Sequence, residues 1–198
     1  MSNINIQTIP DGTTMMVKGI VDFSQIKTRL DGAELETDNQ RKIQHGLKPE
    51  SRPHTRLTIS QASVVYDDAS NISHAERFLE DRLYLSNKYP QKNFIYSGMN
   101  KGQYLPAVYV RDETDHTVIR PIYPENELAA GLEVTLLLRV YSSRATGYKG
   151  ISLDSVICDE PIRYQNSAND SMTALFARGF KAAAPAAAPP PAYSAIPA

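Results

Sequence analysis

The sequence contains no tryptophan, a single cysteine and no stretch near the roughly 20 apolar residues that a membrane span requires. Cys158 alone cannot form an internal disulfide, which fits a reducing compartment. Its place after Val156 and Ile157, in an apolar run, reads as a small buried hydrophobe rather than a reactive thiol. The start, MSNINIQTIPDG, has neither a basic opening nor an apolar run, so no secretory signal is expected and the expected setting is cytoplasmic. With 21 Lys plus Arg against 22 Asp plus Glu, no global excess of positive charge draws the chain to polyanions. Any such attraction must come from local clustering.

Catalytic signatures are missing too. There is no Gly-x-Ser-x-Gly elbow, His-Glu-x-x-His or Cys-x-x-Cys, and the four histidines, at 45, 54, 74 and 116, are scattered. Glu34, Glu36 and Asp38 could face a divalent cation, but without further ligands they read as a solvated arm. Gly98 and Gly102 are followed by no Gly-Lys-Ser/Thr and open no helix, which argues against a phosphate-cradling loop. The expectation is a non-enzyme with no metal and no cofactor.

What is present is β-pattern. Leu132, Val134, Leu136, Leu138 and Val140 occupy alternate positions and so share one face of an extended chain, suited to a core. The other face carries Glu133, Thr135, Leu137, Arg139 and Tyr141, and a loop with Arg144, Tyr148 and Lys149 leads into a second strand ending at Cys158. Met15, Val17, Gly19, Val21 and Phe23 mark a first strand over 14–23, in which Gly19 predicts a bulge or sharp coil. A second strand follows over 55–65, with Leu57 and Ile59 inward. Shorter strands are expected around 94–96 and 104–110, joined by the turn 97–102, with Pro106 implying an edge or bulge. One helix is signalled: Ser73 and Glu76 form a capping-box pair, Ala75, Phe78, Leu79 and Leu83 make an apolar stripe, and Pro90 limits its length.

This order predicts a mainly β protein, an OB-like five-stranded barrel with one inserted α-helix. Residues 1–13 read as an N-terminal extension and 14–165 as the domain, with 31–53 a long loop of mixed charge lacking any sustained period. Residues 166–181 read as a short helix or linker. Residues 182–198, AAAPAAAPPPAYSAIPA, read as a disordered Ala/Pro-rich spacer whose Tyr193 and Ile196 could dock a partner.

Charge is segregated along the chain. Segment 40–56 holds five cations against Glu50 alone, and segments 88–104 and 139–149 hold three each with no carboxylate. Any one basic run is by default a solvated loop, but here all three contain or adjoin Tyr or His.

The run from Asn126-Glu127-Leu128 through Gly131-Leu132-Glu133-Val134-Thr135-Leu136-Leu137-Leu138-Arg139-Val140-Tyr141 to Gly150-Ile151-Ser152-Leu153-Asp154-Ser155-Val156 resembles the closing strands of single-stranded DNA-binding proteins carried by phages and integrative elements. The specific part is about 30 residues within a similarity spanning roughly 14–164. The resemblance implies an OB fold and binding of single-stranded DNA in replication, recombination or DNA transfer. It puts Arg139, Tyr141 and Lys149 on or beside the binding face. The tail departs from the better-known members in having no acidic residue, which puts recruitment of replication or recombination proteins through it in doubt.

The expected function is therefore binding of single-stranded DNA with little sequence preference, in which Tyr rings stack on bases and cations neutralise phosphates. The candidate DNA-binding residues are Lys18, Arg52, Arg56, Tyr96, Lys101, Tyr104, Tyr109, Arg139, Tyr141, Arg144, Tyr148 and Lys149. Each tyrosine taken singly is also an ordinary barrel core residue. A homo-oligomer is expected, since several faces raise avidity on a long strand. The rival expectation is a β-rich interaction or inhibitor protein of a phage or mobile element with no nucleic-acid binding.

Overall fold

The computed structural model describes residues 4–44, 46–85, 90 and 93–165. It divides into a unit over 1–165 and a second over 166–198. The expected linker or helix at 166–181 and the tail at 182–198 lie outside the described residues, as does His45.

The first unit is mainly β. Its strands are β1 (Thr14–Leu30), β2 (His54–Val65), β3 (Tyr84–Leu85), β4 (Phe94–Asn100), β5 (Ala107–Arg111), β6 (Ile119–Ile122), β7 (Glu133–Ser142) and β8 (Lys149–Cys158). Two helices join them, α1 (Gly32–Gln44) and α2 (His74–Glu80). The strands form one eight-stranded sheet in the order β3-β4-β2-β1-β7-β8-β5-β6. All pairings are antiparallel except β5 with β8, which is parallel. The expected count of five strands is therefore too low.

The sheet curls because β1 is 17 residues long and changes register three times. The first shift lies between Lys18 and Ile20, at the glycine read as a bulge. A Cβ on Gly19 would sit 2.6 Å from the Ser60 carbonyl oxygen, so only glycine lets β2 pass this closely. The curl carries β4 round to β8. The Asn100 side-chain amide donates to the Leu153 carbonyl at 2.8 Å, and a Cβ on Gly98 would lie 3.5 Å from the Leu153 side chain. No backbone ladder joins these two strands among the described residues, so the sheet is not a closed ring of hydrogen bonds.

Inside the curl lies the core that the alternation predicts. Leu132, Val134, Leu136, Leu138 and Val140 are all buried, as are Leu57 and Ile59. Each such side chain contributes roughly 1.5–3 kcal/mol. Phe78 and Leu79 of α2 close one side behind the capping box, in which Glu76 accepts from the Ser73 backbone and Ser73 Oγ from that of Glu76. Cys158 is buried as expected, and desolvation pushes its thiol up to about 12.

Three local expectations fail. Residues 97–102 are not a turn, because β4 runs to Asn100 and Gly98 sits within it, packed on β8. The hairpin partner of β5 is β6, not β4. The long loop at 31–53 contains α1, so the described residues hold two α-helices where one was expected. Periodicity misses α1 because its docking residue is charged: the one buried side chain on it is Asp38. The segment before β1 is tied to the body: Ile9 is 1% exposed and the Gly12 amide donates to the Val140 carbonyl.

Candidate nucleic-acid interface

Two strands and one loop build a groove of about 370 Å³ on the outer surface. β7 supplies Arg139 and Tyr141, whose side chains must point outward because Leu138 and Val140 point in. β8 supplies Ser152 and Asp154, and the segment after β4 supplies Lys101 and Tyr104. Arg52, just before β2, completes the rim. Five residues separated by up to 89 positions in sequence, Arg52, Lys101, Tyr104, Arg139 and Tyr141, thus share one concavity.

The rings are presented, not packed away. Tyr104 is 80% exposed and Tyr141 39%. Tyr141 faces Gly150 across the β7–β8 ladder, and a Cβ there would lie 2.8 Å from its hydroxyl oxygen. Gly150 is what allows that ring to lie across β8. The Tyr104 loop is braced from outside, where Arg29 donates to the Gly102 carbonyl at 2.6 Å and also to that of Gln103.

The electrostatics are mixed. Three cations and one carboxylate line the groove. Arg139 is held by Asp154, with Nε at 2.8 Å and Nη2 at 2.7 Å from Oδ2, which favours its charged form further. Lys101 Nζ lies 2.5 Å from Glu50. Arg52 and Arg144 make no ion pair with any described residue. Surface pairs of this kind contribute about 0–1 kcal/mol, so a phosphate can compete for the cation.

The other candidates disperse. Tyr96 is buried, and desolvation raises its phenol well above the ordinary range, so its ring is not available for stacking. Arg56 is spent on structure: it lies 4.8 Å from the Phe23 ring and reaches Asp38 at 2.9 and 3.1 Å. Lys42 joins the same carboxylate at 3.1 Å. Burial opposes the Asp38 charge, but hydrogen bonds from Lys42 and Arg56 outweigh it and hold the carboxyl below its usual value. Lys149 Nζ caps the Gln7 and Ile9 carbonyls at 3.1 and 2.5 Å, fastening the N-terminal segment. Lys18 lies in a different hollow, beside Glu133 and Asp159. Arg144 and Tyr148 are exposed on the β7–β8 loop, Tyr148 at 70%, just past the Tyr141 end of the groove.

Tyr109 lies in a second, apolar groove of about 600 Å³ with Pro121, Tyr123 and Pro124. Sequence reasoning passed over Tyr123, which follows β6 directly and is almost fully exposed. It also missed Leu105, which borders both grooves. No cluster of His, Cys, Asp or Glu among the described residues could hold a metal ion. No helix among them is long and apolar enough to cross a membrane.

No protein-family model matches this chain, and no curated protein is significantly similar to it.

Proposed function

We propose that this chain binds single-stranded DNA with little sequence preference, through the groove of Arg52, Lys101, Tyr104, Arg139 and Tyr141. The observation that carries the reading is the exposure of two phenol rings beside three cations in one concavity. Exposed rings can each stack on a base for about 1–3 kcal/mol whatever the sequence, while cations neutralise phosphates and release counterions. The reading includes no chemical step. It places the protein in the cytoplasm, serving replication, recombination or transfer of a phage or mobile element, as an oligomer on long strands.

In the same proposal, β4, β2, β1, β7 and β8 act as an OB-like barrel, with β3 and the β5–β6 hairpin as additions at its two edges. The approach of β4 to β8 through Asn100, Gly98 and Leu153 supports this. Such barrels bind oligonucleotides across one face with help from loops.

A second reading, an interaction protein with no nucleic-acid binding, draws on the ion pairs that occupy Arg139 and Lys101. Fluorescence anisotropy with labelled oligo-dT separates the two. The proposal expects tight binding at low salt that weakens steeply as salt rises, and much weaker binding to duplex. No binding, or equal binding to duplex, would move the assignment to the interaction reading.

A further inference from the structure

The apolar groove beside the β5–β6 hairpin lies next to the charged one and differs from it in chemistry. Leu105 lines both. Its wall carries Tyr109, Pro121, Tyr123 and Pro124, and Lys27 is its one charged lining residue. That ammonium is already bound to the Glu125 carbonyl. In the β5–β6 ladder Tyr109 is paired with Pro121, so both sit on the same face, opposite the core-facing Val108. Continuing the register puts Tyr123 across from Ala107 on that face too. Tyr123 is 97% exposed.

The platform is rigidly held. β5 is bonded in parallel to β8 from Ala107 to Val110, and Arg111 Nε lies 2.7 Å from Asp159. The hairpin turn is tied by Asp112, whose carboxylate accepts from the Thr114 hydroxyl and amide and meets Arg120 at 2.5 Å. A groove walled mainly by phenol and pyrrolidine rings, whose one ammonium is already engaged, has little to offer a phosphate. It suits the π-faces of bases.

We infer that this groove is a second segment of the nucleic-acid path, which takes the bases of nucleotides leaving the charged groove past Leu105 and leaves their phosphates to solvent. This rests on the single-stranded DNA reading and adds that the footprint has two unlike halves. Binding in the first half depends on salt; binding in the second depends on stacking.

The test compares oligo-dT of roughly 6 and roughly 20 nucleotides, lengths that bracket the span of one such domain, on the full chain. Tyr123→Ala should weaken binding of the longer oligonucleotide about tenfold, with little change in its salt dependence, and leave the shorter within about twofold. As the chain has no tryptophan, Tyr123→Trp adds a sole indole reporter. The longer oligonucleotide should quench its emission. Phe94→Trp, on the β3–β4 edge, should stay unquenched under the same conditions.

Oligonucleotide binding that Tyr123→Ala leaves unchanged, with no quenching at that position, would overturn the second half while sparing the first. Quenching by a proline-rich peptide but not by DNA would assign the groove to a protein partner and overturn it as well. Failure of the unaltered chain to bind either oligonucleotide would remove both.

Discussion

The α1–β2 junction and the outer groove each set a guanidinium beside an aromatic ring, but in opposite settings. At the α1–β2 junction, Arg56 lies over Phe23 while Asp38 takes its charge and that of Lys42. In the groove, Arg139 and Lys101 are paired singly at the surface, and Tyr104 and Tyr141 stay open to solvent. What separates a structural clamp from a candidate binding surface is whether a carboxylate and a covering helix complete the set. The residue types alone do not decide it.

Removing both groove rings should break the comparison most sharply. Tyr104→Ala with Tyr141→Ala is expected to lower single-stranded DNA affinity by roughly 2–6 kcal/mol, two stacks' worth, with urea midpoints nearly unchanged. An affinity within threefold of the parent in anisotropy titrations would show that the rings are idle. The clamp should respond in the reverse sense. Asp38→Ala strands two cations and is expected to cost about 2–3 kcal/mol of stability, below the range for deeply buried pairs because Arg56 and Lys42 keep some exposure. DNA affinity at a temperature where the variant stays folded should hold; a large loss there would place the clamp in the interface.

The alternation of β7 gave its inner face residue by residue, because one buried face leaves a period-two imprint. The capping box of α2 was equally readable, being a local exchange of hydrogen bonds. The site was only partly so. Arg139 and Tyr141 follow from strand geometry, but that Arg52 and Lys101 join them depends on the curl of β1 and on β4 reaching β8, which no local pattern encodes. Tyr96 and Tyr104 look alike as exposed-strand tyrosines in sequence, and only the fold sends one ring inward. The helix α1 was invisible to a hydrophobic pattern because its anchor is an ion pair.

A smaller effect would sharpen the groove's electrostatics. Arg52→Ala should cost about 1 kcal/mol at low salt and flatten the slope of log affinity against log salt by about 0.7, the loss of one phosphate contact. An unaltered slope would put Arg52 outside the path. The smallest effect expected is one of pH. Asp38 has its carboxyl lowered in the folded state, so its contribution is present above the ordinary carboxylate value of about 4 and fades as pH falls through the folded value. The stability gap between the parent and Asp38→Asn in urea should therefore narrow from pH 5 to pH 3. A constant gap would mean that the clamp acts through packing, not charge.

The parallel ladder between β5 and β8 also bears on how the molecule is made. Ala107 to Val110 pair with Ser155 to Cys158, so this half of the sheet waits for chain translated almost fifty residues later. Contacts that distant close slowly, and a polypeptide still emerging from the ribosome lacks β8 until residue 158 has cleared the exit. The β8 side of the outer groove, Ser152 and Asp154, is likewise among the last parts of the sheet to be made.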